Sequence, residues 1–109
     1  MLCSTASANT MPTNEKDVES YLRKQCEARR WMCVKFLPDN KVGMPDRVVI
    51  LPHGHVVWVE TKRPKGGRTS AIQKYQHQKL RALGHDVRIV ATREVVDALV
   101  RELVATYDT

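Results

Sequence analysis

Residues 43–64 read GMPDRVVILPHGHVVWVETKRP, and the way this stretch pairs with itself decides the fold. Two β-branched apolar runs, RVVILP and HVVWVETK, flank His53 and Gly54, which is the pattern of a hairpin. If the turn centres on His53, paired residue numbers sum to 106 and Asp46 stands across from Glu60, with Cβ atoms about 5 Å apart. Lys62 then shares their face, because side chains alternate along a strand. Thr61 points away, and its backbone carbonyl faces the neighbouring edge. A two-residue turn would shift the sum to 107 and put the two acids on opposite faces.

Two carboxylates at that separation repel unless a proton or a cation lies between them. A hard divalent cation with oxygen ligands at about 2.1 Å suits the pair, with Mg²⁺ the natural choice. A cation there polarises a phosphoryl oxygen and acidifies a water, while a lysine steadies the charge that develops. The triplet Glu60-Thr61-Lys62 alone is a common surface pattern, usually a solvated strand with a weak ion pair. What raises its weight is Pro45-Asp46 at the matching distance before it and the basic loop after it.

Working outward, residues 15–30 carry Val18, Tyr21, Leu22 and Cys26 at helical spacing. Asn14 precedes them as a cap, and Glu15 and Asp17 suit the positive end of the helix dipole. WMCVKFLP, residues 31–38, is a strand closed by its proline, and DNKVGMP is a loop. Ser70 and Gln73 form a capping box for a helix with Ile72, Tyr75, Leu80 and Leu83 as its apolar positions, stopped by Gly84. DVRIVA is a fourth strand, and Thr92 caps a last helix containing Val95, Val96, Leu99, Val100 and Leu103. The expected order is αβββαβα, an α/β fold with a small mixed sheet flanked by helices.

The chain has 109 residues, 42% hydrophobic and 28% charged, enough for one core and no second lobe. Residues 1–14, small and polar, are expected to be a disordered lead, leaving 15–109 as the folded domain. Eighteen Lys and Arg against twelve Asp and Glu give a net charge of +6. The excess sits where the hairpin ends: from Glu60 to Arg81 there is no other acid, against Lys62, Arg63, Lys65, Arg68, Lys74, Lys79 and Arg81. Such a strip suits a polyanion. Cys3, Cys26 and Cys33 form no CxxC pair and leave one thiol over in any pairing, against a zinc site or a disulfide frame. A reducing cytoplasm is the expected compartment. No apolar run approaches the ~18 residues of a membrane span, so no membrane partner is expected.

The combination G-x-P-D, E-x-K, a glycine pair and S-x-x-Q resembles the VRR-NUC family, the virus-type replication and repair nucleases of the PD-(D/E)xK superfamily. The likeness runs from about Glu15 to Leu103 and implies a restriction-endonuclease-like αβββαβ core with a closing helix. It implies Mg²⁺- or Mn²⁺-dependent cleavage of DNA, with Asp46, Glu60 and the Thr61 carbonyl as metal ligands and Lys62 as the catalytic lysine. A first-helix glutamate completing the shell, in part through water, falls on Glu19; Glu15, one turn earlier on a similar face, is the alternative. The family glutamine falls on Gln73, which also reads as a capping residue, with Gln76 as a second candidate on the stripe facing the sheet.

Lys35, Arg63, Lys65, Arg68 and Lys74 are the expected DNA contacts. His53 and His55 lie at the far end of the hairpin, and His77 and His85 are expected at the surface. Trp31 and Trp58 read as core or interface anchors. Family members without extra domains resemble Holliday junction resolvases, which implies a homodimer acting on four-way junctions and a phage or prophage setting. A monomeric nicking or flap nuclease and a non-catalytic branched-DNA-binding module are the rivals.

Overall fold

The computed structural model describes residues 14–107. Its elements are α1 (Glu15–Ala28), β1 (Met32–Lys35), β2 (Arg47–Ile50), β3 (Val56–Thr61), α2 (Ala71–Ala82), β4 (Asp86–Val90) and α3 (Arg93–Tyr107). This is the αβββαβα order that the periodicities predict. Of the expected lead only Asn14 is described, and it is the cap of α1: its side chain accepts from the Asp17 amide while Asp17 accepts from the Asn14 amide.

The four strands form one sheet in the order β1-β2-β3-β4, antiparallel through β3 and parallel between β3 and β4. Every β2–β3 pair sums to 106, from Arg47↔Val59 to Ile50↔Val56. The turn that sets this register spans Pro52–Gly54, with Leu51 N–H donating to the His55 carbonyl at 2.9 Å. His53 takes φ 64° and Gly54 φ 79°, so the three-residue turn places an ordinary side chain in left-handed backbone at His53.

Strand parity separates the two faces. Cys33, Val49, Val57, Val59 and Val90 face α1 and α3, whose Val18, Leu22 and Cys26 and Val96, Leu99, Val100 and Leu103 complete the core. Cys26 and Cys33 are both buried there as free thiols. Tyr21 closes the seam between the two helices by donating its hydroxyl to Asp97 at 2.7 Å. On the opposite face α2 packs against β4, with Leu80 and Val87 buried.

One helix face differs from its apolar pattern. Ile72, Tyr75 and Leu83, expected to point inward, are exposed, and the inward positions of α2 are His77 and Leu80, with Gln73 reaching β3. His77, expected at the surface, is buried. Gln76 turns to the Val42 carbonyl at 3.3 Å and so holds the β1–β2 loop rather than the sheet. That loop lies close on α2: at Gly43, φ 91°, a Cβ would stand 2.8 Å from the Ile72 carbonyl oxygen, which leaves room for glycine alone.

Candidate active site

The site begins where the β2–β3 ladder stops. Arg47 and Val59 are its last pair, and two residues further out the register sets Pro45 opposite Thr61. Proline has no N–H to give, so the ladder ends there and the Thr61 carbonyl receives no donor from it. The Thr61 amide finds a substitute in the next residue. Asp46 Oδ1 accepts from Thr61 N at 3.0 Å, and Asp46 Oδ2 accepts from Thr61 Oγ1 at 2.6 Å. The sequence Pro-Asp thus turns a strand end into a fixed carboxylate, whose side chain leans on Thr61 instead of lying squarely across from Glu60.

Glu60, on the α2 side of β3, is 4% exposed. Its Oε2 accepts from Gln73 Nε2 at 3.0 Å and lies 3.4 Å from Lys62 Nζ. Its Oε1 is buried with no hydrogen-bond partner among the described residues. Burial first, and the negative charge of Asp46 second, push its carboxyl up to about 7, against the opposing pull of Lys62; the charge of Glu15 adds to the rise. A buried carboxylate with an unsatisfied oxygen beside a second carboxylate is a position that a cation would relieve.

Lys62 is positioned as tightly as Glu60. Gln73 Oε1 accepts from Lys62 Nζ at 2.8 Å and also from the Ser70 amide at 2.9 Å. One glutamine therefore performs both of the roles that its sequence position offers. It closes the Ser70 capping box at the start of α2, and it orients the acid and the lysine of the E-x-K triplet. Gln73→Ala, which releases both Glu60 and Lys62, is expected to cut cleavage about 10- to 100-fold, the usual loss when a residue orienting a site carboxylate is removed, with a further ~1 kcal/mol of cap stability lost. Steady-state cleavage rates beside a thermal melt measure the two effects separately.

The first-helix glutamates divide. Glu19 is engaged by Arg47 Nε at 2.7 Å and by Lys35 Nζ at 3.3 Å, on the α1 side of the sheet. Burial alone would raise its pKa, but the contacts with Arg47 and Lys35 outweigh that and hold the carboxyl below its usual range. Arg47 also donates to the Cys33 carbonyl at 3.0 Å, tying α1 to β1 beside Asp46. Glu15, at the first turn of the helix, is exposed and its charge is felt at Glu60. Among the described residues, no three of His, Cys, Asp and Glu come together as a ready metal cage. Lys35 is occupied by Glu19 instead of facing the E-x-K triplet.

The basic loop is open. Lys65, Arg68 and Lys74 are exposed and take part in no ion pair among the described residues, and Arg63 bends back to the Gly66 carbonyl at 3.4 Å. Gly67 permits that tight return, since a Cβ there would meet the Arg63 carbonyl oxygen at 2.6 Å.

Sequence reasoning missed two parts of the site. Arg47 is the cation that holds Glu19, and His77, one turn after Gln73, lies near Lys62. Burial, then the charges of Arg81 and Lys62, hold its imidazole below the usual pKa. The signal for both was spacing: Arg47 adjoins Asp46, and His77 follows Gln73 by four residues on one helix face.

A mixed four-stranded sheet with helices on both faces, and two acids and a lysine gathered at the ends of adjacent strands, define an α/β domain of the nuclease type. No family model matches the chain. A solved structure described as a VRR_NUC domain superposes with a TM-score of 0.74 at 29% identity, covering 85% of this chain and 96% of that one. "Putative nuclease p44" of Acyrthosiphon pisum secondary endosymbiont phage 1 is 32% identical over 85 residues, which are 78% of this chain and 90% of the relative. The chain belongs to the VRR-NUC family of phage-type nucleases.

Proposed function

We propose that the protein is a divalent-metal-dependent, structure-specific DNA endonuclease, resembling a Holliday junction resolvase and working as a homodimer in the cytoplasm of a bacterial or phage-infected cell. The observation that carries the catalytic part is the buried Glu60, with one partnerless oxygen, beside Asp46 and beside a lysine held by Gln73. The residues fit Mg²⁺ or Mn²⁺: Asp46, Glu60 and the carbonyl of Thr61 are hard oxygen donors, the type these ions prefer. Glu15 is free to complete the shell through water, whereas Glu19 joins it by leaving Arg47 and Lys35.

When bound, the ion supplies Lewis acidity toward a phosphoryl oxygen and lowers the pKa of a water. The chain supplies the remainder. Thr61 fixes Asp46, Gln73 fixes Glu60 and Lys62, and the Lys62 ammonium is placed to hold the attacking water or to offset charge on the phosphate during hydrolysis. Arg63, Lys65, Arg68 and Lys74 bind flanking phosphates, contacts that carry no sequence information, so backbone path and shape select the substrate. Two such sites about a twofold axis suit two symmetric strands of a four-way junction.

The test is cleavage of labelled four-way junction, flap, single-stranded and duplex DNA with Mg²⁺ or Mn²⁺. Paired symmetric nicks in the junction are expected. Cutting confined to flaps or single strands replaces the substrate with that of a monomeric nicking nuclease, and tight binding without cutting under either metal makes the protein a branched-DNA-binding module.

A further inference from the structure

Two residues along α2 is roughly 200° around its axis. Gln73 is turned to Glu60 and Lys62, so Tyr75 is turned away from the sheet, and it is 53% exposed. The five other aromatic residues are committed to the fold. Trp31 is buried in the core, Tyr21 donates to Asp97, and Tyr107 lies against His55 with ring centroids 4.5 Å apart. Phe36 packs edge-on against Trp58 at 5.0 Å, and Trp58 Nε1 donates to His85. Among the described residues Tyr75 has no aromatic partner and no side-chain hydrogen bond. Its neighbour is Lys79, whose Nζ stands over the ring 5.4 Å from the centroid.

The surroundings are cationic. Lys74 and Lys79 are exposed beside the tyrosine, and the exposed basic loop with Lys65 and Arg68 leads into the helix. No acid stands between Glu60 and Asp86 in the chain. An uncommitted ring on a basic surface has the make-up of a single-strand nucleic-acid site, in which cations follow the phosphates and an aromatic face receives a base. In a paired duplex each base face is covered by its neighbours, so the ring gains a contact only where a base is unpaired and unstacked.

We propose that Tyr75 is a stacking platform for an unpaired base of the DNA substrate and selects branched or single-stranded DNA over plain duplex; the inference deepens the DNA-directed reading above and rests on it. Lys79 steadies one face of the ring and leaves the other to the base. A helix with its side chains is about 10–12 Å across, so the ring meets a nucleotide displaced along the strand from the scissile phosphate. Tyr75 is therefore a specificity-determining residue and touches no reacting atom. A four-way junction offers such bases where its arms meet, and a flap offers them along its free strand.

Binding of fluorescein-labelled flap DNA and of blunt duplex to the full chain, with EDTA present, tests this. Tyr75→Ala is expected to weaken flap binding about 10-fold, the scale of one base–aromatic stack, and to leave duplex binding unchanged. Tyr75→Phe keeps the ring and is expected to match the wild type. Leu83→Ala, which removes another exposed apolar side chain at the end of α2, is expected to match it too. 2-Aminopurine in the flap strand reports the stack itself: at saturation its fluorescence is expected to fall with wild type and Tyr75→Phe and to stay high with Tyr75→Ala.

Equal losses on flap and duplex would make Tyr75 part of the general phosphate-binding surface, and no loss on either would make it an idle surface residue; both overturn the inference. Lys62-dependent cutting in the same preparations upholds the nuclease in either case. Tyr75 effects as expected, with no Lys62-dependent cutting of any substrate, overturn catalysis and uphold the platform. A wild type that binds neither DNA overturns the inference and the DNA-directed reading together.

Discussion

Lys62→Ala is expected to lower DNA cleavage by about 10³-fold at saturating metal, the scale on which a positioned charge-stabilising donor acts. Lys62 is largely buried, and its ammonium is held by Gln73 at 2.8 Å and lies 3.4 Å from Glu60. A lysine so constrained has little conformational freedom and puts its charge beside Glu60, where the proposed mechanism has phosphate charge develop. Its loss also removes the cation that opposes the rise in the Glu60 pKa, so the pH at which cleavage reaches half its maximum moves upward. Affinity for DNA, measured with EDTA present, is expected to change far less, because Lys65, Arg68 and Lys74 are untouched and exposed. A loss of binding as large as the loss of cleavage would make Lys62 a docking residue and not a catalytic one.

The hairpin was legible because its information is local. The β-branched runs, the His53-Gly54 turn and the spacing of Asp46 and Glu60 fixed a single register once a three-residue turn was assumed, and the ladder has that register. The Ser70–Gln73 capping box was legible for the same reason. What was not legible depends on which side of a helix the site itself occupies. The apolar residues Ile72 and Tyr75 imply an inward stripe, yet polar Gln73 and His77 took the inward side, where Gln73 bonds both Glu60 and Lys62. Hydrophobic periodicity marks the existence of such a helix but misorients it, since inward polar residues at a functional site break the binary pattern.

Glu19 shows the same limit in electrostatic form. Its place on the first helix was read correctly in sequence, but its partners Lys35 and Arg47 come from two different strands. Only the β1–β2 register, which sets Lys35 across from Arg47, brings both cations to one carboxylate. No spacing within a single element encodes that. The uncovered half of the sheet is legible only in three dimensions for a like reason: Val34 and Ile50, exposed in β1 and β2, read as ordinary core strand residues.

Glu60→Gln is expected to make the metal-free protein more stable at pH 8 while abolishing cleavage. The folded-state pKa of Glu60 is raised, from 4.5 to about 7, because it is buried beside Asp46. A raised pKa means that the unfolded chain releases this proton first as pH rises. The contribution is complete below about 4.5 and is lost as pH climbs through about 7, so metal-free wild type loses stability from pH 5 to pH 8. At 1.36 kcal/mol per pKa unit the loss is on the order of 3 kcal/mol. Glutamine mimics the protonated acid, keeps a partner for Gln73 and has no proton to lose, so this part of the pH dependence vanishes in the variant. Mg²⁺ is expected to restore the wild type at pH 8 by binding the ionised pair, and to leave Glu60→Gln nearly unmoved. Thermal melts at pH 5 and pH 8, with and without Mg²⁺, decide the matter. A variant less stable than wild type at pH 8 without metal would mean that Lys62 and Gln73 satisfy the charged carboxylate fully, and that the strain assigned to the Asp46–Glu60 pair does not exist.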